Sequence, residues 1–276
     1  MLELLKSAFY GLVQGLAEFL PVSSSGHLAI LKNIFGLDFD DKILFTLILH
    51  LGSLVAVFMF YIKDIKNMFF GFFSLAAKIF GGKFKYKSLS FNERLFLLVF
   101  FASLPLVVGA IIDKQIEVLS DYTKIVGIFL VINAVVLFFS DMIEQGNITE
   151  KTATPKNALF VGLCQLIAVA PGISRSGATI TGGLLNGFDR RFAVKFSFLM
   201  SVPAILGASL FKFVDFARSD SELTGGMVAS CIIGFLFAFF AGAFAIVILN
   251  MIAKKRNFTP FSIYCLAVGL IAIIFG

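Results

Sequence analysis

Tryptophan is absent from this chain of 276 residues, charged residues make up only 14% of it, and there are just six prolines and three cysteines. Soluble domains carry about 25% charged residues, so the shortage of charge excludes a water-soluble globular protein. A disordered chain is excluded too, because disorder requires few apolar groups. Cys164, Cys231 and Cys265 lie far apart in separate apolar stretches. That spacing excludes a disulfide framework or a thiolate metal site and leaves them as small core residues. Segments of alternating polarity are missing, which excludes a transmembrane β-barrel. Met1–Lys6 lacks the basic head and cleavage site of a secretory leader, so targeting is expected to come from the spans themselves.

What is present is apolar. Hydrophobic residues make up 59% of the chain, Phe alone supplies 36, and the mean hydropathy is +0.96. A helix needs about 20 apolar residues to cross a bilayer. Six stretches meet that length, roughly 43–62, 95–112, 123–140, 194–213, 227–252 and 259–276. The expectation is an all-α polytopic membrane protein, one integral membrane domain over 1–276. The formal charge of +6 fits lysines facing anionic lipid, with no nucleic-acid partner expected. Residues 63–94 form a basic segment whose apolar middle, Met68–Phe80, is short and flanked by Lys. It is expected to lie on the membrane surface rather than to cross it.

Segments 8–35 and 157–188 fit neither class, since Pro, Gly and Ser break each near its centre. Paired broken segments in two halves of a membrane protein point to its binding site. A shift of 151 residues superposes them, placing Gly11 on Gly162, Gln14 on Gln165, Ser23 on Ser174, Gly26 on Gly177 and Gly36 on Gly187. Nine of 28 ungapped positions are identical. With both segments read as re-entrant helical hairpins, segments 63–94, 141–156, 189–195 and 253–258 fall on one side. That side carries fifteen Lys and Arg against seven on the other, which makes it cytoplasmic. Each half is then one hairpin plus three spans, 1–140 and 157–276. Three is odd, so the halves are expected to form an inverted-topology repeat with both hairpin tips near the midplane.

Irregular backbone at membrane depth survives only in protein or beside water, so the tips should enclose a polar pocket. Gln14 and Glu18 are spaced i, i+4 and share a helix face ended by Pro21. Ser23, Ser24 and Ser25 suit the N-cap of a second short helix, whose N–H groups attract anions. The second tip repeats this with Ser174, Ser176 and Thr179 and adds Arg175, a plausible phosphate cradle. Glu18 is either part of the site or an ion-pair partner of Arg175 that staples the tips. His27 is either a satisfied helix-packing histidine or, three residues after Ser24 on the same turn, an acid or base for a hydroxyl. His50 has no polar company nearby and is expected to be a packing residue. The chemistry leaves two classes open, a secondary transporter or flippase of an anion or phosphate-bearing lipid and a hydrolase of a phosphate ester.

Gln14-x-x-x-Glu18-Phe-Leu-Pro-Val-Ser-Ser-Ser-Gly-His27 resembles the (Glu/Gln)-x-x-x-Glu and Pro-Val-Ser-Ser-x-Gly-His motifs of the undecaprenyl-diphosphate phosphatase family, the BacA-type bacitracin-resistance proteins. Pro171-Gly-Ile-Ser-Arg-Ser-Gly-Ala-Thr179 is similar to that family's second motif. The resemblance implies hydrolysis of undecaprenyl diphosphate to undecaprenyl phosphate and phosphate, which recycles the lipid carrier of cell-wall synthesis. It implies a multi-pass protein of the bacterial inner membrane, a site open to the periplasm or outside, and a divalent cation, Mg²⁺ or Ca²⁺. A homodimer is an open expectation. By resemblance Glu18, Ser24, His27 and Arg175 are catalytic, with Glu18 also holding the metal. Gln14, Ser23, Ser174, Ser176 and Thr179 line the diphosphate site. Gln14 stands where many members have Glu, which removes one anionic metal ligand. Lys195 also departs from the expected pattern, on the cytoplasmic side of this topology.

Overall fold

The computed structural model describes residues 1–36, 42–218, 224–255 and 257–276. Apart from two short 3₁₀ turns, the named elements among them are all α-helices. They are α1 (Leu2–Phe19), α2 (Ser24–Phe35), α3 (Lys42–Phe80), α4 (Phe91–Ser103), α5 (Pro105–Glu117), α6 (Thr123–Ser140), α7 (Pro155–Ile167), α8 (Arg175–Leu185), α9 (Arg190–Ala217), α10 (Gly225–Lys255) and α11 (Thr259–Phe275). Five stretches have the length and apolarity to cross a bilayer: Ile43–Phe80, Phe91–Ile112, Thr123–Ser140, Arg190–Ala217 and Gly225–Ala253. The sixth expected span is the apolar helix Thr259–Phe275, at 17 residues. This is a multi-pass membrane protein.

Two of the expected segments carry an internal junction. The short basic-flanked helix follows the span directly, and the non-helical backbone of Tyr61 (φ −117°, ψ 21°) makes a kink that divides α3 into two helices. Its far half is seated on α4, where a side chain on Gly71 would meet the Asn92 carbonyl at 2.2 Å. Glu93 accepts hydrogen bonds there from Ser74 and from Lys78 at 2.7 Å. The expected 95–112 span lies within Phe91–Ile112, in which α4 passes to α5 at Leu104, ahead of Pro105, whose missing N–H interrupts the hydrogen-bond ladder.

Both broken segments are helix–break–helix. Helix α1 stops at Leu20, whose backbone is extended, and α2 starts under Ser23, whose hydroxyl accepts from the Gly26 N–H at 3.2 Å. Helix α7 stops at Ala168, and α8 starts under Ser174, whose hydroxyl accepts from the Gly177 N–H at 3.1 Å. Left-handed glycines follow each second helix, Gly36 at φ 59° and Gly187 at φ 80°. Close packing brings the first helices in: a Cβ on Gly11 would meet the Gly234 carbonyl of α10 at 2.4 Å, and one on Gly162 the Ala102 carbonyl of α4 at 2.3 Å. Small residues thus let the backbones meet, as membrane helices require.

Polar contacts gather the loops into two groups. In one, Lys195 holds Asp64 (2.8 Å) and Glu150 (3.0 Å), and Arg94 donates to the Ala153 carbonyl. Arg190 reaches the Ser140 carbonyl, and Asp141 caps α11 through the N–H groups of Phe258 and Thr259. In the other, Lys32 meets Asp121 at 2.6 Å and Asn33 donates to the Ser120 carbonyl. Segments 63–94, 141–156, 189–195 and 253–258, grouped above by charge, are the ones the first set ties together.

Candidate active site

The two breaks touch. A Cβ on Gly26 would meet Gly172 Cα at 2.9 Å, and the Ser176 hydroxyl donates to the Leu20 carbonyl at 3.2 Å. Asn133 of α6 clamps both: its amide N–H donates to the Pro21 carbonyl (2.9 Å) while its oxygen accepts from the Ser174 N–H (3.0 Å). Breaking a helix orphans backbone groups, and in an apolar interior each costs about 1–3 kcal/mol. Asn133 satisfies one on each side.

Glu18 is the centre of the junction, with 8% of its surface exposed. Its Oε1 accepts from Arg175 Nη2 at 3.0 Å. Its Oε2 accepts from the Ser24 hydroxyl at 2.8 Å and from Gln14 Nε2 at 2.9 Å. One carboxylate therefore orients a hydroxyl and a guanidinium at once. Arg175 Nη1 and Gln14 Oε1 are buried with no hydrogen-bond partner. The guanidinium fork thus keeps donors for an anion. Ser174 and Ser176 share a hydrogen bond of 3.0 Å, and Thr179 binds Ser197 of α9 at 2.7 Å. Ser23 and Ser25 hydroxyls lie 3.3 Å apart.

Ser23 is the one non-glycine residue with positive φ among the described residues (φ 72°, ψ 99°). Such backbone is costly for a residue with a Cβ and tends to occur where a site dictates it. Here it sets Ser24 at the start of α2, facing Glu18.

Two expectations change. His27 is not matched to Ser24: its Nδ1 meets the Ser23 carbonyl at 2.8 Å and its Nε2 the Tyr264 hydroxyl at 2.8 Å, with the rings stacked. The spacing of three put both residues on one turn, but the tight Ser23 backbone offers its carbonyl first. His50, expected only to pack, comes within 4.0 Å of Glu18 Oε2 through Nε2, while its Nδ1 bonds the Thr46 carbonyl at 2.8 Å. Glu18 and His50 lie on different helices, so sequence proximity gave no sign of it. Asn133 was also missed, although a lone amide within an apolar span was a usable signal.

Among the described residues no three His, Cys, Asp or Glu side chains form a cluster for a metal ion. One carboxylate, Glu18, and the unpartnered Gln14 oxygen are the donors present. That donor set matches a cation shared with a substrate's phosphates, as Mg²⁺ sites commonly are, rather than one caged by protein alone.

The chain is 39% identical to the undecaprenyl-diphosphatase of Methanosphaera stadtmanae, over 99% of this chain and 98% of the relative. It is 37% identical to that of Methanobrevibacter smithii (98% and 96% covered) and 38% identical to that of Alkaliphilus metalliredigens (98% of each). The model of the family described as "Bacitracin resistance protein BacA" matches residues 7–271. With that match covering nearly its whole length, the chain belongs to the BacA bacitracin-resistance family.

Proposed function

We propose that this chain performs the reaction its relatives are named for: it is a membrane phosphatase that hydrolyses undecaprenyl diphosphate to undecaprenyl phosphate and inorganic phosphate. Returning the lipid carrier to cell-wall synthesis in this way confers bacitracin resistance. One observation carries the chemistry: Ser24 and Arg175, from different breaks, converge on Glu18.

Ser24 is the nucleophile in this reading. Glu18 takes its proton through the 2.8 Å hydrogen bond as the Ser24 oxygen attacks the terminal phosphorus. The bridging P–O bond breaks, undecaprenyl phosphate leaves, and water then hydrolyses the phosphoserine and releases phosphate. Arg175 neutralises charge on the transferred group through its unpartnered nitrogen, with Ser176, Ser174 and Thr179 lining the cradle. The proton-handling role expected of His27 passes to Glu18, and His27 positions the first break through Ser23 and Tyr264. A divalent cation, Mg²⁺ or Ca²⁺, would be held by Glu18 and Gln14 together with the diphosphate and would supply charge neutralisation.

The halves 1–140 and 157–276 are proposed to be inverted repeats, each a re-entrant hairpin plus three spans. Support comes from the shift-related pairs Ser23/Ser174, Gly36/Gly187 and Gly11/Gly162, which serve alike as caps, helix stops and close-packing points. The polar group joining 64, 94, 141–153 and 189–195 supports placing those loops in the cytoplasm, with the site open to the outer face. The deciding experiment is phosphate release from undecaprenyl diphosphate by purified protein in micelles. A transporter would show no turnover there.

A further inference from the structure

The Ser23 hydrogen bonds run to Ser25, Gly26 and His27, all within its own turn. Contacts so local do not by themselves hold Ser23 at φ 72°, because the whole turn could relax together. Strained backbone persists where the surrounding structure over-determines it. From Ser23 these contacts reach a distant element through His27, whose Nε2 meets the Tyr264 hydroxyl of α11 at 2.8 Å.

The chemistry of that link is fixed by its ends. The Ser23 carbonyl can only accept, so its 2.8 Å contact places a proton on His27 Nδ1. In the neutral ring Nε2 is then the acceptor, and the Tyr264 O–H donates to it. The Ser23 carbonyl also accepts from the His27 backbone N–H at 3.2 Å, so one residue holds it twice. The His27 and Tyr264 rings stack with 4° between their planes and centroids 5.4 Å apart, which sets the orientation of the imidazole. With its lone pair engaged by Tyr264, Nε2 is withheld from Ser24.

Helix α11 is a firm base for this contact. A Cβ on Gly127 of α6 would meet the Gly269 carbonyl of α11 at 2.7 Å, and Ser262 donates to the Ala134 carbonyl of α6 at 2.7 Å. Cys265, next to Tyr264, is fully buried, with its sulfur 3.9 Å from the Pro21 carbonyl and 3.4 Å from Asn133 Nδ2. The last helix thus reaches the first break at Pro21 and at His27, on either side of Ser23.

We propose that Tyr264 is a positioning residue for the hydrolysis: through His27 it keeps the Ser23 backbone in the conformation that presents the Ser24 hydroxyl to Glu18. The inference rests on the phosphatase reading and adds to it a residue of the last helix. Tyr264 does not touch the substrate in this account, so losing its hydroxyl slows the chemical step and leaves substrate binding unchanged. The residue keeps 46% of its surface exposed, so removing one hydroxyl leaves the core packing intact.

The test compares wild type, Tyr264→Phe, His27→Asn and the double variant in detergent, with thermal melts and with phosphate release from undecaprenyl diphosphate. Phe keeps the stacked ring and loses the hydroxyl; Asn keeps a donor for the Ser23 carbonyl and loses the reach to Tyr264. Tyr264→Phe should lower kcat about three- to tenfold, the net worth of one hydrogen bond, with KM changed by less than about twofold. In the His27→Asn background the same change should cost less than about twofold, because the link it breaks is already gone. Nitrogen NMR of protein labelled at histidine reads the contact without turnover, since the chain has two histidines and His27→Asn assigns one. At alkaline pH, where the ring is neutral, the His27 Nε2 signal should be that of an unprotonated, hydrogen-bonded nitrogen and should move downfield in Tyr264→Phe. The proposal is overturned if that signal stays in place, if Tyr264→Phe keeps the wild-type kcat, if KM rises instead, or if the loss is as large in the His27→Asn background. A melting temperature that falls in step with the rate would make Tyr264 merely structural and overturn it too. A signal that moves as expected in a wild type releasing no phosphate sinks the phosphatase reading, and the positioning role with it, and leaves the contact alone. Turnover indifferent to Tyr264 sinks the positioning role and leaves the phosphatase reading standing.

Discussion

Arg175 Nη2 stands 3.0 Å from Glu18 Oε1, joining two helix breaks that lie 157 residues apart in the chain. A buried ion pair that served only as a staple would have its remaining polar atoms satisfied, because unpaired ones are costly. This pair is open on the arginine side. Arg175 keeps a buried nitrogen without a partner, and Glu18 spends its second oxygen on Ser24 and Gln14. The pair therefore joins the two breaks and leaves one guanidinium donor unpartnered, the one that the proposed mechanism gives to the transferred phosphate.

Replacing Arg175 by Lys keeps the charge and loses the fork, so it should lower kcat by about 10²–10³-fold, the usual cost of one charge-stabilising donor. Glu18→Gln should fall at least as far, because the amide keeps an acceptor for only one of Ser24 and Arg175 and has no charge to take the serine proton. His27→Ala, which disturbs only the Ser23 and Tyr264 contacts, should cost less than either. Steady-state phosphate release at saturating substrate checks the order.

Ser24 and Ser23 should separate cleanly. Ser24→Ala should abolish turnover by about 10³-fold or more, as loss of a nucleophile does. Ser23→Ala loses an N-cap worth about 1 kcal/mol and should lower the melting temperature while keeping a measurable rate. A variant at 23 far slower than the variant at 24 would mean that the wrong serine has been named.

Asn133→Leu should destabilise the fold by about 2–6 kcal/mol, since the Pro21 carbonyl and the Ser174 N–H each lose a partner at about 1–3 kcal/mol. Asn133→Asp keeps the acceptor for the Ser174 N–H but sets a second oxygen against the Pro21 carbonyl and buries a charge, so it should be at least as destabilising as Leu. Thermal melts in detergent, alongside phosphate release, measure both effects.

Cysteine labelling in intact cells tests the topology. Positions 40 and 118 should react from outside and positions 85 and 255 only after permeabilisation. Reaction of 85 and 118 from one side would break the inverted arrangement and the midplane site with it. Position 40 lies outside the described residues, so position 118 carries the structural side of the comparison.

Much of the junction was legible in the sequence because its parts are local. The i, i+4 pair Gln14 and Glu18 and the Ser caps are short-range patterns, and both appear where the sequence placed them. Contacts across helices were not legible. His50 meets Glu18, Asn133 reaches both breaks, and Tyr264 takes the second nitrogen of His27, all through packing of spans that apolar composition leaves unspecified.

The central claim is that Ser24, oriented by Glu18 and served by Arg175, hydrolyses a lipid diphosphate. Its most direct test is phosphate release from undecaprenyl diphosphate by purified wild type and Ser24→Ala in micelles with added Mg²⁺ or Ca²⁺. Steady turnover by the wild type and none above background by a folded Ser24→Ala is the predicted result. No phosphate release by the wild type, or equal release by both proteins, would contradict it.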